Sequence, residues 1–494
     1  MHLYPKRACL DGLEMEIFKL VSYSATPEQW EEWLRVPLEH AAARGNLELF
    51  NKLLGAGANG SAGWRGCRGR TLLYAAAVGG NEEVVSGLLR VGSQPDVNVE
   101  LQRRSPLYAA TTSGHEAVAR RLVLAGADVN FEDLTDNWAV LHEAVRGGHG
   151  ELAEFLLVNG ANMDAQDYEE GGTPLHVAAD EGFDGIVSTL LLRGADKDAL
   201  DDRGSTPVMG ASIRGHASVV KTLLAAGADH SIRNNTGAYS ALDLAAEEGH
   251  VPVIEAIVGH GADVNARDGS GYTALHTAAE YDQEGAINAL TKAGADVDLR
   301  SDEDTTPLVV ASARCQRNAM LALLQHGASV DVRDSEGNTP LHAACSERCE
   351  GLRAAVDILL RWGGDETALN QQGRSPADML HEVITVDDWC CTVDEIERTL
   401  QLLARAPAER AWRRRGWLAV LRTRASEARA ASNRNNSEGS TRDSSAAAGD
   451  RSEGEDFNGC GGAVGSEGAG GVLDGILALL IEPEGVFRTV VGFL

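Results

Sequence analysis

Four histidines, His142, His176, His276 and His342, and one tighter set, His342, Cys345 and Cys349, are the residues of this chain that could hold a metal. The i, i+3, i+7 spacing of the second set would put an imidazole and two thiols on one helical face, as zinc requires. A fourth ligand is missing, however, and Cys345 stands where its surroundings call for a small core side chain. The four histidines recur at similar places in successive stretches of chain and do not gather. We therefore expect each imidazole to bond backbone groups close to its own turn. The vicinal pair Cys390-Cys391 could do redox chemistry, and half-buried or exposed thiols would read the same way. No Lys follows a Gly, which excludes a Walker A loop, and neither a Gly-x-Ser-x-Gly elbow nor a His-Glu-x-x-His helix occurs. No catalytic residue, metal ligand or cofactor is assigned, and the chain is read as a non-enzyme.

The histidines owe their spacing to a repeated element. An anchoring position falls at Thr71, Ser105, Ala139, Thr173, Thr206, Ser240, Thr273, Thr306, Thr339 and Ser375, with gaps of 33 or 34 residues and a last gap of 36. A period of that size is the mark of a repeat array. In Gly172 to Asp196, Thr173 can cap a helix through its hydroxyl, Pro174 suits the first helical position, and Leu175, Ala178 and Ala179 make an apolar face. Gly182 ends that helix. A second follows through Ile186, Val187, Leu190 and Leu191, and Gly194 stops it. Polar residues to Gly204 then form a hairpin leading to Thr206-Pro207.

Thr173-Pro174-Leu175-His176, the Gly-His turns at Gly114-His115, Gly148-His149, Gly215-His216 and Gly249-His250, and the Ala-Asp endings at Ala127-Asp128, Ala228-Asp229, Ala262-Asp263 and Ala295-Asp296 together resemble the ankyrin repeat. The resemblance covers about 36 to 404 and implies an all-α solenoid. Its stacked helix-turn-helix units would be joined by β-hairpin-like loops. Residues 36–404 would hold about ten to eleven repeats, with an N-terminal helical cap over 1–35 supported by Thr26-Pro27-Glu28-Gln29-Trp30. Composition agrees: 43% of the chain is apolar but only 5% aromatic, so Ala, Leu and Val must fill the core.

The family also implies that hairpin tips and inner helices line a concave groove that meets protein partners. Those positions are acidic here: Asp167, Glu169, Glu170, Asp201, Asp202, Asp302, Glu303 and Asp304 at the tips, and Asp180, Glu181, Glu247, Glu248 and Glu280 at inner-helix ends. A partner rich in Lys or Arg would suit them, though solvated charge that keeps the array soluble fits equally. A formal charge of −29 argues against nucleic acid as a partner. The eight cysteines are read as thiols. The apolar residues after Lys6 and Arg7 are broken by Asp11, Glu14 and Glu16, so no secretory segment is expected. With no transmembrane run either, the setting is read as intracellular and cytoplasmic.

Beyond the repeats the character changes. From Arg405 to Arg429 eight arginines face only Glu409 and Glu427, with Trp412, Trp417, Leu418 and Leu421 between them. We expect a basic amphipathic helix over 405–430. It would either bind an acidic partner, a calmodulin-like protein or a membrane surface, or fold back on the acidic array. Arg410 to Leu418, with Trp412, Arg413, Arg414, Arg415 and Trp417 as contact candidates, also resembles tails of a group of algal ankyrin-repeat proteins. Residues 431–471 read as a disordered Ser- and Gly-rich linker. An apolar docking segment, 472–494, closes the chain, with Phe487 and Leu494 in its stripe. Two functions suit this plan: a non-catalytic scaffold for protein partners, and a substrate-recruiting adaptor of a ubiquitin ligase whose tail is similar to an F-box helix.

Overall fold

The structure, a computed structural model, describes residues 37–55, 71–90, 98, 104–133, 138–168, 170–346, 351–383 and 394–408. The expected N-terminal cap, Glu169, Cys349, Cys390-Cys391, the linker, and the tail residues Trp412, Arg413, Arg414, Arg415, Trp417, Phe487 and Leu494 lie outside these residues. The expected start of the basic helix at Arg405 falls inside a helix running over 394–408.

The described residues divide into two compact bodies, one ending at Val264 and the other beginning at Asn265. In the first, a helix over 37–43 pairs with Leu47–Gly55, Leu72–Gly79 with Glu82–Arg90, and Pro106–Thr112 with Glu116–Leu124. Val140–Arg146 with Gly150–Val158, Pro174–Asp180 with Asp184–Arg193, Pro207–Arg214 with Ala217–Ala225, and Ala241–Glu247 with Val251–Gly259 continue the series. The second body pairs Ala274–Glu280 with Glu284–Lys292, Pro307–Ala313 with Arg317–Gln325, and Pro340–Ser346 with Leu352–Arg361, and ends with Pro376–Val383 and the helix over 394–408.

Local sequence explains each pair. Proline at the first helical position and an extended Thr or Ser before it start the inner helix at Pro106, Pro174, Pro207 and Pro307. At the end of an outer helix, Gly194 takes φ 98°, a left-handed turn open to glycine at little cost. Within each body, inner helices pack on the inner helices of neighbouring repeats and on their own outer partners. From the repeat of Thr71 to that of Thr339 one column of that contact is alanine: Ala76, Ala110, Ala144, Ala178, Ala211 and Ala245 in the first body and Ala278, Ala311 and Ala344 in the second, all without exposed surface, before Leu380 takes the place in the helix Pro376–Val383. Leu73, Leu107, Leu141 and Leu175 sit one turn earlier and are equally hidden.

The hairpins carry little regular sheet. Glu132–Asp133 and Trp138–Ala139 form one short antiparallel pair. Elsewhere neighbouring hairpins share single backbone bonds, such as Asp202 N–H to Glu170 O at 2.8 Å and Asn235 N–H to Arg203 O at 2.8 Å in the first body. In the second, Ser335 N–H reaches Glu303 O at 3.2 Å.

Leu190 and Leu224 are buried in the outer helices of adjacent repeats. Leu190→Ala and Leu224→Ala are each expected to cost about 2–5 kcal/mol, read from urea unfolding midpoints. A midpoint equal to the parent's would show that the leucine in question lies off the core face.

Candidate functional site

The histidines of the repeated phrase act as latches. In His176 and His276, Nδ1 accepts the backbone N–H of Thr173 and Thr273 at 3.1 Å, and bonds the same threonine's hydroxyl at 3.0 and 2.9 Å. The proton therefore sits on Nε2, which donates forward to the next hairpin: His176 to Ser205 O at 3.1 Å, His276 to Thr305 O at 3.2 Å. His142 and His342 do the same towards Gly172 O and Arg374 O. The Thr173 hydroxyl thus also serves the imidazole, a bond that the sequence did not suggest, within a capping box at the start of this helix. Burial lowers the pKa of His142 and His342, and takes His276 from 6.5 to about 4, so these rings are held neutral.

A second series points backward. At the turn between helices, His115, His216 and His250 donate from Nε2 to Val78 O, Asp180 O and Ile213 O at 3.0, 2.9 and 2.9 Å, carbonyls at the end of the preceding inner helix. The His250 ring lies over Gly215, at φ 77°, where an added Cβ would come within 2.8 Å of it.

With both ring nitrogens spent, the imidazoles leave no lone pair for a metal, and among the described residues no group of three potential ligands gathers. Cys345 is buried and its thiol pushed up to about 12, which makes it a core side chain. Cys315, expected as a thiol, is instead disulfide-bonded, and stands at φ 55° where other repeats place a turn glycine.

Many acids also prove to be internal fittings. Asp167 accepts the Glu170 amide at 2.8 Å, and Asp201 accepts those of Arg203 at 2.9 Å and Ser205 at 2.6 Å, closing their own hairpins. At the repeat endings Asp198 accepts the Asp229 amide at 2.7 Å, and Asp298 accepts that of Ser329 at 2.8 Å. Other tip charges have partners already: Glu170 with Arg203 at 2.8 Å, Asp302 with Arg267 at 3.0 Å and Asp304 with Arg300 at 3.6 Å; at an inner-helix end of the second body, Glu280 pairs with Arg314 at 3.1 Å. Asp202 and Glu303 are exposed at their tips.

Asp180, Glu181 and Glu248 differ. They are exposed at the C-terminal ends of inner helices, and no ion pair reaches them within 4 Å among the described residues. A carboxylate there faces the negative end of the helix dipole, which costs roughly 0.3–1 kcal/mol. Asp180 also leans over Gly210 of the next repeat, and its pKa is raised, first by burial and despite His176 and Arg214. Its surface is open while its carboxyl is partly desolvated against the neighbouring helix. Glu247 stands half-buried beside Glu248 and has an interaction of its own, so it does not join them.

This face of the first body is mixed, not uniformly acidic. Arg146 takes the place equivalent to Asp180, stacked 5.0 Å from Trp138 and bonded at 3.1 Å to both carboxylate oxygens of buried Glu143, which also accepts the Tyr108 hydroxyl at 2.9 Å. Ile213 and Val78 are exposed at the same place in other repeats, and Tyr168, 80% exposed, and Leu200 are exposed in successive hairpins. Sequence reasoning passed over these apolar residues. The signal for them was present: each stands at a repeat position that carries a polar residue elsewhere, such as Thr112 for Val78 and Asp302 for Tyr168.

Two consequences can be measured. At pH below about 6.5 the unfolded chain gains protons that His276 resists until about 4, so folding stability should fall across that window as pH drops. The loss is on the order of 3 kcal/mol for this ring alone. Urea midpoints between pH 7 and 5 test it, and a slope unchanged by His276→Gln would remove the ring from the account. Thr206 and Thr306 have Met209 and Val309 where a histidine would stand, and their buried hydroxyls have no partner. Thr306→Val should therefore leave stability unchanged or raise it by about 1 kcal/mol, whereas Thr273→Val should lower it by about as much. Equal losses in thermal melts would contradict the latch.

A model of ankyrin repeats in three copies matches the chain repeatedly, over 38–133, 119–201, 141–234, 175–268, 208–301 and 275–370. Among solved structures, the crystal structure of the human ASB11 ankyrin repeat domain is similar. It is 32% identical, the match covers 46% of this chain and 98% of that one, and the TM-score is 0.41. No curated protein matches. Repeated helix pairs, histidine latches fixed between them and a family model spanning most of the described residues lead to one conclusion: the chain belongs to the ankyrin-repeat family, whose units form protein-interaction domains.

Proposed function

We propose that this chain is a non-catalytic scaffold that holds a Lys- or Arg-bearing protein segment along the inner-helix edge of its first body. One observation carries the reading: among the described residues Asp180, Glu181 and Glu248 have no ion pair within 4 Å, Arg214 acting on Asp180 only from farther off, while the tip acids Glu170, Asp302 and Asp304 are matched by arginines of the chain itself. Acids kept at the unfavourable end of a helix, on an exposed surface, gain most from a positive charge supplied in trans. Ile213 and Val78 on that face, and Tyr168 and Leu200 at the tips, offer the apolar contact that salt does not weaken. The ligase-adaptor alternative draws its support from the apolar stripe of 472–494 alone.

A labelled Lys/Arg-rich peptide, titrated into the full chain at two salt concentrations, tests the scaffold. The combined variant Asp180→Asn, Glu181→Gln, Glu248→Gln should raise Kd about tenfold, equivalent to about 1.4 kcal/mol, and flatten the salt dependence. Its melting temperature should hold or rise, because the replaced charges oppose their helix dipoles. Unchanged affinity, or a loss that follows Glu170→Gln and Asp302→Asn instead, would move the contact away from this edge.

A further inference from the structure

The outer helices of the first body carry an apolar stripe that the repeat does not require. The last or next-to-last residue of each outer helix reads Arg90, Leu124, Val158, Leu192, Ala225 and Gly259 along that body, and Lys292, Gln325 and Arg361 in the second. Solvated or small residues are its ordinary content. Leu124, Val158 and Leu192 depart from it in three successive repeats and are 72%, 62% and 87% exposed. Half-buried Phe155, Leu157 and Leu191 widen the stripe. Packed helices lie about 8–10 Å apart, so the three side chains span about 16–20 Å. A contiguous apolar surface of that kind marks a contact face.

The charges around the stripe say what can cover it. The three helices that carry it, Glu116–Leu124, Gly150–Val158 and Asp184–Arg193, hold four acids and three arginines, close to balance in a chain of formal charge −29. Each of these seven has a partner within the first body. Arg120 lies between Glu116 at 4.0 Å and Glu151 at 3.5 Å, Arg121 pairs with Glu82 at 2.7 Å, Arg193 with Glu154 at 3.2 Å, and Asp184 accepts the Thr222 hydroxyl at 2.6 Å. Nothing here calls for a counter-ion in trans, so the face selects neither a basic nor an acidic partner. It fits an apolar column of equal spacing with matched charges beside it, and a second copy of the chain presents that by construction. We propose that the stripe is a self-association face, in which the outer helices of two first bodies meet about a two-fold axis through Val158. The column is symmetric about that residue, so leucine meets leucine whichever way the axis runs in the interface plane, and Val158 meets its own copy. Chains of this net charge repel, and a nearly neutral apolar face is where two of them approach at least cost. Three helices about 14 Å long, side by side, outline on the order of 400 Å². That is small beside the roughly 800 Å² per partner of a standard interface, so the dimer is weak and reversible.

Sedimentation velocity on the full chain tests the face. The mean mass should climb from one chain towards two as concentration rises, in high salt as in low. Leu192→Lys with Val158→Lys, both on the exposed column, should weaken the association about tenfold or more, while the melting temperature of the dilute protein stays that of the parent. Val158→Cys should give a covalent dimer with a short bismaleimide, above the background of the parent's own cysteines. Gln325→Cys, in the same column of the second body, should not. A single-chain mass at every concentration, or association that the lysine variant leaves intact, would overturn the proposal. Association that high salt abolishes would place the contact on charged surfaces, and equal cross-linking from both cysteines would place it off the two-fold; either result overturns it too.

Discussion

Inner helices of adjacent repeats touch along alanines, and everything else in this molecule is arranged so that they can. Ala110, Ala144, Ala178 and Ala211 have no exposed surface, and a larger side chain at any of them would hold neighbouring helices apart. A pair of helices only seven to ten residues long cannot bury enough apolar surface to fold alone. Stability therefore comes from the stacking, and each repeat is a partner to its neighbours before it is a structure of its own.

Close stacking leaves polar backbone groups at both ends of every inner helix, and the chain answers with side chains drawn from the next repeat. His142 and His176 reach forward to hairpin carbonyls, while His115, His216 and His250 reach back to helix-end carbonyls. Each ring must be neutral to play both donor and acceptor, and burial keeps His276 so. Asp198 and Asp298 work similarly at the repeat endings. Much of the acidic excess is thus internal carpentry. Where Met209 or Val309 replaces the imidazole, the buried hydroxyl of Thr206 or Thr306 is left without a partner.

With so many charges committed, the uncommitted ones become informative. Asp180, Glu181 and Glu248 on the inner edge, and Leu124, Val158 and Leu192 on the outer helices, sit where neither stacking nor latching calls for them. The two sets differ in chemistry: one attracts charge in a salt-dependent way, and the other buries hydrocarbon regardless of salt.

The repeat, its period, the helix pairs and their buried leucines were legible from residue order, because capping, glycine turns and apolar spacing are local and recur. Leu175, Ala178 and Leu190, assigned to the core from spacing, are fully buried. So was the structural role of the histidines, whose even distribution excluded convergence. The fate of each acid was not legible. Asp180 and Asp201 look alike in sequence, yet Asp201 closes its own hairpin through the amides of Arg203 and Ser205, while Asp180 overlies Gly210 of the following repeat with no ion pair within 4 Å among the described residues. Glu170 and Arg203 lie 33 residues apart and become a pair only when neighbouring hairpins come into register. Sequence determines what a short segment does with its own backbone, because those interactions span a few residues. Tertiary structure alone decides which charges are matched and which apolar side chains remain uncovered, because that depends on which groups stacking brings within a few ångströms.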